Sequence, residues 1–178
     1  PENRYQNCED IIKDIEQFLK EEGSEFIAEL QKHFEGEYKI LKKLGQGGMA
    51  AVYSAKVLTE NDEKVKKNDI VAIKIMNQDI KSEEEIARFE IEAKIAMAID
   101  HVNIIRVLSY KIATDVNYIV MEFIDGESVR DIIRDQGKFE EKEAIRVVKE
   151  ALKGLERAHD IDVIHRDIKP DNIMIANT

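Results

Sequence analysis

The sequence predicts an α+β chain in two parts. Between residues 38 and 124, short β-rich runs follow one another with a single helical period among them. From Val129 onward the apolar spacing is helical. The pattern changes near Phe123–Gly126, in a chain of 178 residues, enough for one ordinary domain or two small lobes. The reading divides the chain into a helical extension over 1–36, a strand-rich part over 37–122 and a mainly helical part over 123–178.

Bulk properties narrow the function. A hydrophobic fraction of 43% is that of a soluble globular protein. A formal net charge of −10 disfavours non-specific binding to nucleic acid or to an anionic membrane, because phosphate repulsion is not offset. No apolar run approaches the ~18 residues a membrane span needs, and there is no signal-peptide pattern. The single cysteine, Cys8, excludes an internal disulfide, and a reducing, cytoplasmic compartment is the simplest setting.

The elements follow in order. Ile11, Ile12, Ile15, Phe18 and Leu19, then Phe26, Ile27, Leu30 and Phe34, recur at helical spacing. Gly23-Ser24 interrupts them, so two helices are expected, packed on the domain or open to a partner. Tyr38 to Leu58 reads as strand, tight turn, strand around a glycine cluster. Thr59 to Asp69 is a charged loop, and Ile70 to Met76 a strand too short for a helix. Ser82 to Ile99 is helical, with Ser82 and Glu85 fitting a capping box and Ile86, Phe89, Ala93 and Ala96 forming an apolar face. Two strands are expected around Thr114-Asp115, and a turn at Asp125-Gly126. Val129–Arg134 reads as a short helix and Glu140–His159 as a longer one, with Ala144, Ile145, Val148, Ala151, Leu152 and Leu155 on one side. The remainder is irregular apart from a strand at Asn172–Ile175.

Three stretches carry chemistry. Gly45, Gly47 and Gly48 allow a tight turn and close approach of a ligand, and exposed N–H groups there can cradle phosphate oxygens. Alone, such a cluster is more often an ordinary hairpin; no Gly-Lys-Ser/Thr ends it, and a strand rather than a helix follows. Lys74 stands inside the hydrophobic run Ala72-Ile73-Lys74-Ile75, where an ammonium needs a counter-charge unless the strand is an edge. Glu85, Glu90 and Glu92 follow on a helix. Near the end, VIHRDIKPDNIMI places Asp167, Lys169 and Asn172 in one short loop.

Gly45-Gln46-Gly47-Gly48-Met49-Ala50-Ala51-Val52, then Val71-Ala72-Ile73-Lys74, then His165-Arg166-Asp167 with Asn172, resemble the signature set of protein kinases. Gly-x-Gly-Gly-Met at the loop and Tyr-Ile-Val-Met-Glu at Tyr118–Glu122 resemble the eukaryotic-like serine/threonine kinases of bacteria. The resemblance covers roughly Tyr38 to Ile175. It implies a β-rich small lobe with one main helix, then part of a helical large lobe including the catalytic loop.

It implies ATP and Mg²⁺ as cofactors and a protein substrate. Gly45, Gln46, Gly47, Gly48 and Val52 would cover the phosphates. Lys74 would contact the α- and β-phosphates, paired with Glu92, or failing that Glu90. Met121 would guard the back of the adenine pocket, and backbone groups of Glu122 and Ile124 would bind the adenine edge. Val52 and Ala72 would lie above the ring and Met174 below it. Asp167 would take or orient the substrate hydroxyl's proton, Lys169 would neutralise phosphoryl charge, and Asn172 would hold Mg²⁺. Lys169, two residues after Asp167, resembles the serine/threonine-specific branch.

One departure is serious. No Asp-Phe-Gly tripeptide occurs, although its aspartate is the family's main Mg²⁺ ligand. The chain alone is therefore expected to transfer phosphate weakly or not at all. It reads as part of a full kinase, as a short form that dimerises, or as a nucleotide-binding scaffold without catalysis. Uncovered apolar helix faces are expected to drive self-association.

Overall fold

In the computed structural model, residues 26–59, 65–77, 79–80 and 82–177 are described. The expected first N-terminal helix, Cys8 and the expected break at Gly23-Ser24 lie outside them. The strands β1 (Tyr38–Gln46), β2 (Ala50–Val57), β3 (Ile70–Met76), β4 (Val107–Lys111) and β5 (Tyr118–Glu122) form one antiparallel sheet in the order β1-β2-β3-β5-β4. Lys74 therefore stands on the central strand, which removes the edge-strand alternative.

Cross-strand partners share a face of the sheet. One face carries the rows Val52, Lys74, Ile119 and Ser54, Ala72, Met121. The opposite face carries Tyr53, Ile73, Val120 and Ala51, Ile75, Tyr118. A helix over 26–33, α1, lies against this second face. Its Leu30, and Phe34 just beyond it, join the buried cluster of Tyr53, Ile73 and Tyr118. The rings of Phe34 and Tyr118 meet edge to face at 4.8 Å. Gln31 of α1 fastens β1 with both ends of its amide: Oε1 accepts from the Ile40 N–H, and Nε2 donates to the Tyr38 carbonyl, each at 2.8 Å.

Helix α2 (Glu83–Met97) covers the first face through Phe89 and Ala93. Ser82 stands at its N-cap, but its side chain makes no capping bond, so the expected capping box with Glu85 is not formed. The Ser82 carbonyl instead accepts from the N–H groups of Glu85 and Ile86, each at 3.1 Å, and Glu83, Glu84 and Glu85 complement the helix dipole. The expected loop over 59–69 is not wholly outside either, since Val65 enters the core.

After β5 the chain makes no turn at Asp125-Gly126. Gly126–Ser128 forms β6, paired antiparallel with β7 (Met174–Ala176). A Cβ on Gly126 would stand 2.1 Å from the Ile175 carbonyl oxygen, so the close approach of β7 requires glycine there. Helix α3 (Val129–Gln136) follows, capped by Ser128, whose Oγ accepts from the Asp131 N–H at 3.1 Å and donates to its carboxylate at 2.6 Å. Helix α4 (Glu141–His159) buries Gly154 and Ala158 rather than the apolar side read from the sequence. Ile145, Val148 and Leu152 are 59%, 55% and 57% exposed. A single 3₁₀ turn, Pro170–Asn172, leads into β7. Among the described residues, no helix is long and apolar enough to cross a membrane.

Candidate active site

The site has two groups of residues. The first lies on the sheet face that carries Val52, Ala72, Lys74 and Met121. Lys74 Nζ stands 2.5 Å from Glu92 Oε1 and 5.8 Å from the ring centre of Phe89. Glu90 is engaged elsewhere, 2.6 Å from Lys94 one helical turn on. Its side chain leaves the helix on a different bearing from that of Glu92.

Gly45 and Gln46 end β1 opposite Val52 and Ala51. The turn closes with the Gly47 N–H donating to the Ala50 carbonyl at 2.8 Å. Neither Gly45, Gly47 nor Gly48 adopts a positive φ, so the turn does not depend on glycine's backbone freedom. What their missing side chains leave is room: a Cβ on Gly45 or Gly48 would meet nothing within 4 Å. At the end of β5, Glu122 accepts from the Arg106 N–H through its carboxylate at 2.7 Å and donates its own N–H to the Arg106 carbonyl at 3.0 Å. Ile124 lies between β5 and β6, and among the described residues its backbone N–H and C=O have no hydrogen-bond partner.

The second group surrounds Asp167. Lys169 Nζ is 2.8 Å from Asp167 Oδ2. Asn172 Nδ2 donates to the Asp167 carbonyl at 2.8 Å and to its carboxylate at 3.0 Å. The Asp167 N–H donates to His165 Nδ1 at 3.3 Å. The Lys169 ammonium holds the Asp167 carboxyl below its ordinary pKa; burial opposes it, and the Asn172 amide adds a lesser lowering. Such a carboxylate is ionised at neutral pH and a weak base. It suits orienting a hydroxyl and taking its proton late better than removing it at the outset. The preceding Arg166 sits at φ 63°, in the left-handed region, a strained conformation for a side-chain-bearing residue, costing on the order of 1–3 kcal/mol.

Asn172's amide nitrogen is committed to Asp167, which leaves Oδ1 as its free end. A carbonyl oxygen suits a hard cation such as Mg²⁺, which keeps several waters and shares substrate phosphates. Among the described residues no group of three or more His, Cys, Asp or Glu gathers to hold a metal. Met174, on β7, pairs with Ser128 and is partly exposed.

Two contributors to the site carry no functional signal in the sequence. Arg130 of α3 donates through Nε to Asp171 Oδ1, tying the 3₁₀ turn to that helix. The contact raises the Arg130 pKa and lowers that of Asp171. Residues 41 apart leave no local pattern to find. Phe89 was read only as a core position of α2.

A family profile described as "Protein kinase domain" matches residues 38–178. A probable serine/threonine-protein kinase of Clostridium perfringens is 38% identical over 140 residues, covering 78% of this chain and 19% of that protein. Serine/threonine-protein kinase PrkC of Bacillus subtilis is 37% identical over 145 residues, covering 81% and 21%. The crystal structure of Rad53 in complex with AMP-PNP superposes with a TM-score of 0.65 at 26% identity, over 78% of this chain and 34% of that one. The chain thus spans about a fifth of the length of these curated relatives. The kinase signature segments all lie inside the matched residues, and the chain belongs to the protein kinase family.

Proposed function

We propose that this chain binds ATP with Mg²⁺ and carries the loop that moves the γ-phosphoryl group to serine or threonine of a protein. The observation that carries this reading is the Asp167 carboxylate, held by Lys169 and Asn172 in one exposed loop. The relatives bearing the name serine/threonine-protein kinase support the acceptor class. Residues 37–122 are the nucleotide-binding lobe, 123–178 the hinge with part of the large lobe, and 1–36 an extension ahead of them. The setting is cytoplasmic.

In this reading Lys74, braced by Glu92, contacts the α- and β-phosphates beneath Gly45–Gly48. Val52 and Ala72 cover the adenine from above and Met174 from below. Met121 closes the back, and the backbone of Glu122 and Ile124 binds the adenine edge. The substrate hydroxyl oxygen bonds to the γ-phosphorus, the bond from that phosphorus to the ADP oxygen breaks, and the hydroxyl proton passes to Asp167. Lys169 offsets charge on the group in transit. Asn172 would hold Mg²⁺, which when bound neutralises charge on the nucleotide phosphates.

The test is nucleotide binding followed by transfer. The chain should bind ATP in a Mg²⁺-dependent way, and Lys74→Met should weaken binding about 10- to 100-fold, as expected for a lost charge-assisted contact. A folded chain that ignores ATP overturns the reading. Transfer to a serine peptide should be weak, because the chain holds no Asp-Phe-Gly aspartate. Binding with no transfer, even from a longer form containing that segment, selects the non-catalytic scaffold instead. The exposed Ile145, Val148 and Leu152 support self-association of the isolated chain, and a monomer by light scattering at micromolar concentration would count against it.

A further inference from the structure

Asn77, the first residue beyond β3, is attached to the glycine loop at three points. Its backbone N–H donates to the Met49 carbonyl at 2.9 Å. Its side-chain Nδ2 donates to the Gly48 carbonyl at 2.8 Å and, more loosely, to the Gly47 carbonyl at 3.4 Å. Three successive carbonyls of the loop are thus turned toward one residue. In a trans peptide plane the N–H points opposite to the C=O. The N–H groups of Gly48 and Met49, which share planes with the carbonyls of Gly47 and Gly48, therefore face away from Asn77. Among the described residues neither has an acceptor. Two adjacent free donors above glycines that leave open space are the form of an anion cradle.

We propose that Asn77 is a latch that sets the pose of the glycine loop, so that the Gly48 and Met49 N–H groups meet the terminal phosphates of the bound nucleotide. This rests on the nucleotide reading above. Asn77 is a positioning residue: it acts through the loop backbone and touches no ligand. Without the side-chain donor, the Gly47 and Gly48 carbonyls lose their partner and the loop has no single pose. The loss falls on phosphate binding and spares the adenine.

The experiment compares ATP with adenosine, both with Mg²⁺, by calorimetry on the 178-residue chain. Asn77→Leu keeps the side chain's size and the backbone bond while removing the donor. It should weaken ATP binding about five- to tenfold, the size expected for one hydrogen bond and the pose it holds, and leave adenosine within about twofold. Asn77→Gln, with its amide kept, should recover most of the loss. Without any nucleotide, amide hydrogen exchange over 46–50 should quicken in the Leu variant and be restored in the Gln variant. Should the Leu variant melt below the parent chain, Asn77→Ala makes the same comparison. Equal weakening of ATP and adenosine, or ATP affinity unchanged with unchanged exchange, overturns the latch. An unsubstituted chain that binds neither ligand brings down the nucleotide reading and the latch with it.

Discussion

The five-stranded sheet and helix α4 are both amphipathic, but only the sheet has its apolar sides covered. On the sheet, α1 closes one face and α2 covers the Met76 and Ile119 part of the other, and Phe34, Tyr53, Ile73 and Val120 are fully buried. On α4, Ile145, Val148 and Leu152 are each more than half exposed. The difference bears on how each group of site residues is held. Val52, Ala72 and Lys74 take their positions from a sheet with a closed core. Asp167, Lys169 and Asn172 take theirs from polar contacts: one ammonium, one amide, and the Arg130–Asp171 pair. Core substitutions should therefore unfold the first group, and polar ones should alter the chemistry of the second without unfolding it.

The largest expected effect tests the polar side. Asp167→Asn should lower whatever phosphoryl transfer a longer, active form shows by about 10²–10⁴-fold. Its denaturation midpoint and ATP affinity should barely change. A loss of stability comparable to a core substitution would show that the loop is structural, and the contrast would fail.

Next comes the core. Phe34→Ala should cost about 3–5 kcal/mol of stability in urea unfolding, as large-to-small changes of buried aromatics do. Ile145→Ala on α4 should stay within about 0.5 kcal/mol at protein concentrations where the chain is monomeric. A cost equal to that of Phe34→Ala in the monomer would mean that α4 is covered within the chain itself.

A smaller effect separates the two contacts to Asp167. Its folded-state pKa is depressed, with Lys169 the first cause. The ionised form's contribution to stability is present above the unfolded-state pKa and is lost as pH falls through the depressed folded value. Lys169→Met should move the Asp167 carboxyl titration, followed by carbon NMR, upward toward the ordinary range. An unmoved midpoint would assign the shift to Asn172.

The smallest reads the core through a chromophore. Burial pushes the Tyr118 hydroxyl up to about 12. Phe34→Ala should bring its ultraviolet titration back toward the ordinary tyrosine value, provided the variant is still folded. No change would mean that Phe34 does not shield it.

Much of this was legible because it is local. Alternating apolar residues marked β1 and β2 around the glycine cluster, and Ile70–Met76 was read with its observed bounds. The apolar spacing of Ile86, Phe89, Ala93 and Ala96 set the phase of α2. The errors are long-range or steric. Asp125-Gly126 has turn composition, yet the passage of β7 alongside makes Gly126 the start of a strand. Ser82 has capping composition, yet its side chain is not used, while Ser128 and Asp131, which were not singled out, do form a cap.

The amino-acid order by itself determined the α+β class, the strand and helix periods, and the short-range grouping of Asp167, Lys169 and Asn172, since these depend only on neighbours within a few residues. The family resemblance put Glu92 ahead of Glu90 as the partner of Lys74, and tertiary structure brings that carboxylate to the ammonium while Glu90 meets Lys94. Tertiary structure alone decided that α4 buries Gly154 and Ala158 while its larger apolar residues stay exposed, and that Asn77 reaches back over 29 residues to the glycine loop. Those outcomes depend on which distant backbone comes close, and residue periodicity describes one element's own faces without saying what will arrive against them.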